Sequence, residues 1–194
     1  FIENDKNALN AFRYANETIM LSSRFNNPDV KFKWRPFQIG FFLLSVESIL
    51  DKKSKNRNIV DLLWFPTGGG KTEAYLLLSA TLIFYRKFKK GGLEEKDSLA
   101  MFTRYTLRAL TVDQFNRLAT MIVCAEIIRK RALKQDRNSV AKNPFSIGLW
   151  VGDEAIPNYV SSTTGRNADT KWTNIFTKCP CCGKKLKWRC IDSK

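Results

Sequence analysis

The sequence predicts an α/β fold: a partial parallel sheet flanked by helices, with helices ahead of it and a small cysteine module behind. Three observations lead there. Short apolar runs at 59–64, 99–103 and 145–151 have the length and flanks of buried strands. Longer stretches with apolar residues at helical spacing stand between them. Of the five cysteines, Cys179, Cys181, Cys182 and Cys190 cluster near the end of the chain. The order strand–helix–strand–helix–strand is that of a parallel core, because parallel neighbours need a crossover helix.

Residues 5–20 carry Leu9, Phe12, Ile19 and Met20 at roughly helical spacing, which predicts a first helix. Asn26-Asn27-Pro28-Asp29 reads as a turn. Pro36 suits the first turn of a second helix running to about Leu50, with Phe37, Phe41, Leu44 and Ile49 on one face. Residues 51–58 form a solvated loop before the first strand. A third helix runs from about Lys71 to Lys89, and Lys90-Gly91-Gly92 stops it. The fourth, over 109–131, carries Leu110, Phe115, Leu118, Ile122 and Ile127. It ends on Arg129-Lys130-Arg131, cations suited to a helix C-terminus. Cys124 lies on its apolar face as a core residue. From Gly152 the texture turns polar. These breaks divide the chain into a helical segment at 1–32, a core lobe at 33–152 and an insertion at 153–194.

The chain has 194 residues, of which 44% are hydrophobic, enough for a buried core. No apolar run approaches the roughly 18 residues of a membrane span. Glu3, Asp5 and Lys6 interrupt any secretory signal, so a reducing, cytoplasmic setting is expected, with no membrane partner. A start at Phe1 fits an excised fragment. Lys and Arg number 33 against 18 Asp and Glu, a formal charge of +15. That excess points to a polyanion, most often nucleic acid. A fragment whose acidic half is missing would show the same excess.

The sharpest motif is Phe65-Pro66-Thr67-Gly68-Gly69-Gly70-Lys71-Thr72. It follows an apolar run and opens a helix, the context a phosphate-binding loop requires. Gly68, Gly69 and Gly70 allow a tight turn with inward N–H groups, and the helix start favours a bound phosphate. Lys71 brings a charged donor to the outer phosphates of ATP, and the Thr72 hydroxyl suits Mg²⁺. Phe65 replaces the first glycine of the strict pattern. A glycine turn that happens to end in Lys-Thr is the structural alternative.

With its neighbours, this loop resembles the first motor lobe of superfamily-two helicases, where Pro-Thr-Gly-x-Gly-Lys-Thr is usual. Trp34-Arg35-Pro36-Phe37-Gln38 is similar to the Q-type motif, whose glutamine contacts the adenine edge. A glutamine amide can pair with the N6 donor and N7 acceptor of adenine. The same residues also serve as an ordinary helix cap with core behind it. The stretch from Arg104 to Gln114 resembles motif Ia, which grips the phosphodiester backbone; it nominates Arg104, Thr106 and Arg108. The register is imperfect, and Arg104 and Arg108 also fit a solvated helix start.

A narrower resemblance covers most of residues 33–183. Residues 63–75, Arg-Tyr-Thr-Leu-Arg at 104–108 and Gly-Leu-Trp-Val-Gly at 148–152 look like the DrmA-like helicase subunit of the DISARM anti-phage system. The resemblance implies a partial RecA-like lobe in a bacterial ATPase acting on DNA beside other defence subunits. It groups Arg35, Gln38, Thr67, Gly68, Gly69, Gly70, Lys71 and Thr72 at the nucleotide, with Lys71 and Thr72 catalytic. Asp153-Glu154 invites the name of a Walker B box. Gly152 interrupts the strand before it, Ile156 stands where His or Asp is usual, and in the family the box follows the cysteine module. The true box is therefore expected beyond Lys194, and this chain alone is expected to hydrolyse little.

Cys179-Pro180-Cys181-Cys182-Gly183 contains a Cys-x-x-Cys knuckle. Such a turn lets two thiolates reach one Zn²⁺. Cys179 and Cys182 are the expected ligands, with Cys190 as third. A full site would need Cys181 or a cysteine beyond Lys194, since the chain has no His. An unligated thiol cluster is the alternative. Lys178, Lys184, Lys185, Lys187 and Arg189, with Trp172 and Trp188, form either a nucleic-acid surface or a plain solvated face. Two other functions fit the whole chain: a nucleotide-dependent switch, or a non-catalytic basic nucleic-acid-binding module.

Overall fold

The computed structural model describes residues 1–26, 28–29, 31–66, 68–88, 98–105, 108–137, 140–150 and 177–186, with backbone only at 26 and 108–112. Among the described residues four helices carry the fold: α1 (Lys6–Asn26), α2 (Pro36–Leu50), α3 (Lys71–Phe88) and α4 (Arg108–Gln135). Short 3₁₀ turns stand at Ile2–Asn4 and Lys55–Asn58. The chain divides into two compact units, Phe1–Arg104 with Thr120–Ser146, and Tyr105–Ala119 with Ile147–Lys194.

In the first unit α3 is the central element, with α1 and α2 both packed on it. The inward stripe of α1 is Ala8, Ala11, Ala15, Thr18, Ile19 and Ser22, all buried and mostly small. Spacings of three and four put them on one face, and small side chains let two helix backbones approach closely. The buried Thr18 hydroxyl is satisfied by the Tyr14 carbonyl at 2.7 Å, and that of Thr81 by the Leu77 carbonyl at 2.8 Å. Asp5 secures the start of α1. Its Oδ1 accepts the N–H groups of Asn7 and Ala8 at 2.8 and 3.1 Å, in the manner of an N-cap. Its Oδ2 accepts the Tyr85 hydroxyl of α3 at 2.8 Å.

Aromatic rings fill the space the small stripe leaves. Phe12 meets Phe42 at 5.0 Å, Tyr14 meets Phe84 edge-on at 5.5 Å, and Phe84 meets Phe145 edge-on at 5.1 Å. Edge-on pairing suits the ring quadrupoles, and each such pair adds roughly 1 kcal/mol beyond its buried area. The buried face of α2 is Gln38, Phe42, Ser45, Val46 and Leu50. It lies one residue beyond the expected Phe37–Phe41–Leu44 stripe, and Leu44 is 79% exposed. The helix is apolar on nearly every side, so spacing alone does not choose its inner face.

The C-terminal half of α4 belongs to this unit. Met121, Cys124, Ala125, Ile128 and Ala132 are buried, Cys124 completely, as its place on the apolar face predicts. Arg129 is only 4% exposed, yet charged. It is paired with Glu126, with Nε donating to a carboxylate oxygen at 2.8 Å. Its Nη1 donates to the carbonyls of Ala141 and Lys142 at 3.1 and 2.7 Å. Glu126 in turn accepts the Phe145 N–H at 3.1 Å. One ion pair thus ties the return segment after α4 to the helix, and the Ala141 N–H closes onto the Lys87 carbonyl of α3 at 3.1 Å.

The expected parallel sheet is not found among the described residues. Among the described residues no strand occurs, and the lone β-bridge joins Lys178 to Lys185. Residues 59–64, 99–103 and the described part of 145–151 carry no helix and no ladder. A strand exists only where a second backbone meets its N–H and C=O groups. The outward chains of these runs are instead exposed, Trp64 to 88%. Side chains and single contacts hold the segments to the helices. Ser45 donates to Asp61 at 3.0 Å, and Arg86 donates to the Leu99 carbonyl at 2.9 Å. The helices lie near their expected spans; the α/β class, and with it the RecA-like sheet, is replaced by a helical fold.

The buried pair generates a prediction. Burial pushes the Glu126 carboxyl up, but the Arg129 hydrogen bond, the Phe145 N–H and the charges of Arg129 and Lys130 outweigh it, and the group sits below its ordinary value. A depressed native pKa adds stability above the unfolded pKa and loses it as pH falls through the native value. Glu126→Ala, which strands Arg129, is expected to cost about 3 kcal/mol in urea denaturation at neutral pH. The difference from the parent should be full above about pH 5 and shrink below it. An equal difference at pH 7 and pH 3 would contradict this.

Candidate functional site

The phosphate-loop sequence forms a tight turn between the 59–64 segment and α3. Gly68 and Gly70 have φ of 77° and 91°, in the left-handed region that L side chains rarely enter. The turn closes through the Gly69 N–H to the Pro66 carbonyl at 3.1 Å. A side chain at Gly69 would meet that carbonyl oxygen at 2.9 Å, and one at Gly70 would meet Gln38 Nε2 at 2.8 Å. Space and dihedral angle together account for the glycines at Gly69 and Gly70. α3 begins at once with Lys71 and Thr72. An α-helix start presents unpaired N–H groups and the positive end of the dipole. Glu73, in the same turn, complements that dipole with a carboxylate.

Two residues from the start of α2 brace the loop. Arg35 Nη1 donates to the Gly69 carbonyl at 2.8 Å, and Gln38 Nε2 donates to the Gly70 carbonyl at 2.8 Å. Gln38 Oε1 accepts the Arg35 backbone N–H at 2.8 Å, the returning half of a capping box. The structure thus brings Arg35, Gln38, Gly68, Gly69, Gly70, Lys71 and Thr72 together, though they come from two segments about thirty residues apart. Lys71 Nζ donates to the loop's own carbonyls, Phe65 at 2.5 Å and Pro66 at 3.1 Å. Thr67 lies outside the described residues.

Two supports were not visible as site residues in the sequence. Phe37 stacks on Phe65 at 3.9 Å and 18°, packing the base of the loop against α2. Trp34 Nε1 donates to Asn16 of α1 at 2.7 Å, fixing the approach to α2. Phe65 in place of the usual first glycine was the available signal: an aromatic there needs a partner.

Of the residues expected at nucleic acid, Arg104 is exposed at the end of the first segment of the first unit. Arg108 is the first residue of α4, where only backbone is described. Thr106 lies outside the described residues, as do Asp153 and Glu154.

Residues 177–186 form a small knuckle. The Cys179 N–H donates to Lys184 at 2.8 Å, the Gly183 N–H to Cys179 at 3.0 Å and the Leu186 N–H to Thr177 at 2.9 Å. Gly183 takes a φ of 68°, which turns the chain back. The backbone N–H groups of Cys182 and Cys181 face the Cys179 sulfur and hold its thiol below the ordinary value, against the opposing effect of burial. That is the donor arrangement a thiolate ligand needs. No disulfide joins Cys179, Cys181 or Cys182 among the described residues. Among the described residues no three potential ligands converge on one point, and Cys190 lies outside them. Lys178, Lys184 and Lys185 are exposed around the knuckle. Among the described residues no helix is long and apolar enough to cross a membrane.

No protein-family model matches the chain. Among curated proteins it is similar to the DISARM protein DrmA of Bacillus paralicheniformis, with 37% identity over 203 residues. The match covers 97% of this chain and 18% of that protein. Over nearly its whole length, then, this chain is a relative of the DISARM protein DrmA, and it spans less than a fifth of that protein's length.

Proposed function

We propose that the chain is the ATP-binding segment of a DISARM-type DNA helicase or translocase subunit, working in anti-phage defence in the bacterial cytoplasm with other defence subunits. One observation carries this: a glycine turn with two left-handed residues delivers Lys71 and Thr72 to the start of α3, with Arg35 and Gln38 behind it. The similarity to DrmA and the charge of +15 support it. The fit to a triphosphate rests on the donors. The first turn of α3 offers backbone N–H groups, and Lys71 offers an ammonium now held by two carbonyls, contacts that a phosphate oxygen can replace. Thr72 would hold Mg²⁺. Bound ATP would supply the phosphoanhydride whose cleavage drives movement on DNA. The chain's own residues bind and orient the phosphates, and Arg104, Thr106 and Arg108 would grip the DNA backbone.

A second reading, a basic nucleic-acid-binding module without nucleotide, is favoured by the charge alone. Lys71→Ala separates the two. On the leading reading, Lys71→Ala weakens ATP binding to the 194-residue chain at least tenfold in calorimetry, with the thermal midpoint nearly unchanged. Salt-dependent DNA binding with no ATP affinity in the parent would favour the second reading.

We propose in addition that Cys179 and Cys182 hold Zn²⁺, with Cys190 as third ligand; the N–H groups facing the Cys179 sulfur favour the thiolate that such a site needs. Titration with Co²⁺ is expected to give a thiolate charge-transfer band that Zn²⁺ displaces. The band should be lost in Cys179→Ser and Cys182→Ser. A band unaffected by Cys179→Ser would reject the assignment.

A further inference from the structure

The resemblance to a Q-type motif assigns Gln38 to the adenine edge, a task that uses both atoms of its amide: the oxygen for the N6 donor and the nitrogen for N7. Here both atoms are engaged within the protein. Oε1 accepts the Arg35 N–H at 2.8 Å, and Nε2 donates to the Gly70 carbonyl at 2.8 Å. The residue is 3% exposed. The amide also lies hard against the loop, since even a methyl group at Gly70 would come within 2.8 Å of Nε2. Turning the amide toward a base would break both of these bonds and take the Arg35 N–H and the Gly70 carbonyl away from the partner they share. Two hydrogen bonds to the base would do no more than replace the two that are lost.

We infer that Gln38 is a positioning residue for the phosphate loop and does not read the base. Its bond to Gly70 fixes the carbonyl of the residue just before Lys71. With Arg35 on the preceding carbonyl, it turns that peptide so its oxygen faces α2. A carbonyl pointing at the phosphates would repel them, so holding it away favours any polyphosphate, whatever base it carries. The inference rests on the phosphate-loop reading and concerns which part of the nucleotide Gln38 serves. Arg35 shares the task from an exposed position, so its loss should act in the same sense.

The test uses the 194-residue chain and three probes: ATP, GTP and inorganic tripolyphosphate. Gln38→Glu keeps the size of the side chain and the acceptor for Arg35 but removes the donor to Gly70. Gln38→Ala removes both. Thermal midpoints report folding. The expected result is that Gln38→Glu weakens all three probes by a common factor, about tenfold, and leaves the ATP-to-GTP affinity ratio unchanged. Gln38→Ala should do the same if it stays folded, and Gln38→Glu carries the test if it does not. A loss confined to ATP, with GTP and tripolyphosphate untouched, would overturn the inference in favour of base reading. Unaltered affinity for every probe would overturn it too. The parent chain binding none of the three, tripolyphosphate included, would instead reject the phosphate-loop reading and the inference with it.

Discussion

Two parts of the chain, thirty-two residues apart, are joined by the amide of one buried glutamine. Gln38 closes the first turn of α2 by accepting the Arg35 N–H, and the same amide donates to the carbonyl of Gly70. A helix start and a glycine loop therefore cannot shift independently. The Phe37–Phe65 stack makes the same join with apolar surface. Trp34 extends it to α1 through Asn16, and Asp5 links the far end of α1 to α3 through Tyr85. The loop that ends in Lys71 and Thr72 is thus tied to three helices, which would limit how much ordering a phosphate bound there, as proposed, must impose.

The helical core explains how such a loop is held where the described residues form no sheet. α3 is buried along much of its length, and α1 meets it through a small-residue stripe while α2 brings Phe42. The buried hydroxyls of Thr18 on α1 and Thr81 on α3 return to their own helix carbonyls. The Glu126–Arg129 pair fastens the 141–145 segment, and Phe145 sits on Phe84. An ion pair so deeply placed adds little net stability over an apolar pair, but removing one partner is costly. Its contribution is to fix one docking of the return segment.

How much of this was legible in the sequence depended on how local the signal was. Pro36 marked a helix start, and Gly68, Gly70 and Lys71 marked a turn opening a helix; such cues act over a few residues. Cys124 showed its burial through helical spacing. That no sheet forms among the described residues was not legible, because 59–64 and 99–103 are apolar runs of strand length, while pairing depends on a distant partner. The inner face of α2 escaped because apolar residues surround the helix. At the site, the pattern nominated Gln38, but its spacing does not reveal that the amide holds the Arg35 N–H and the Gly70 carbonyl. A motif fixes residue types and spacing; it does not say which hydrogen bonds the fold has already taken. Lys178 and Lys185, by contrast, fell into a basic cluster in sequence and are bridged across the knuckle.

The central claim is that the turn at Gly68–Gly70 and the start of α3 form a seat for phosphate. Backbone amide resonances followed by ¹⁵N-resolved NMR during addition of Mg·ATP test it most directly. The account predicts saturable shifts concentrated on Gly68, Gly69, Gly70, Lys71 and Thr72 and on the Gln38 side-chain amide, reproduced by Mg·GTP. Shifts confined to the exposed lysines of 177–186, or none at the loop at millimolar nucleotide, would contradict it.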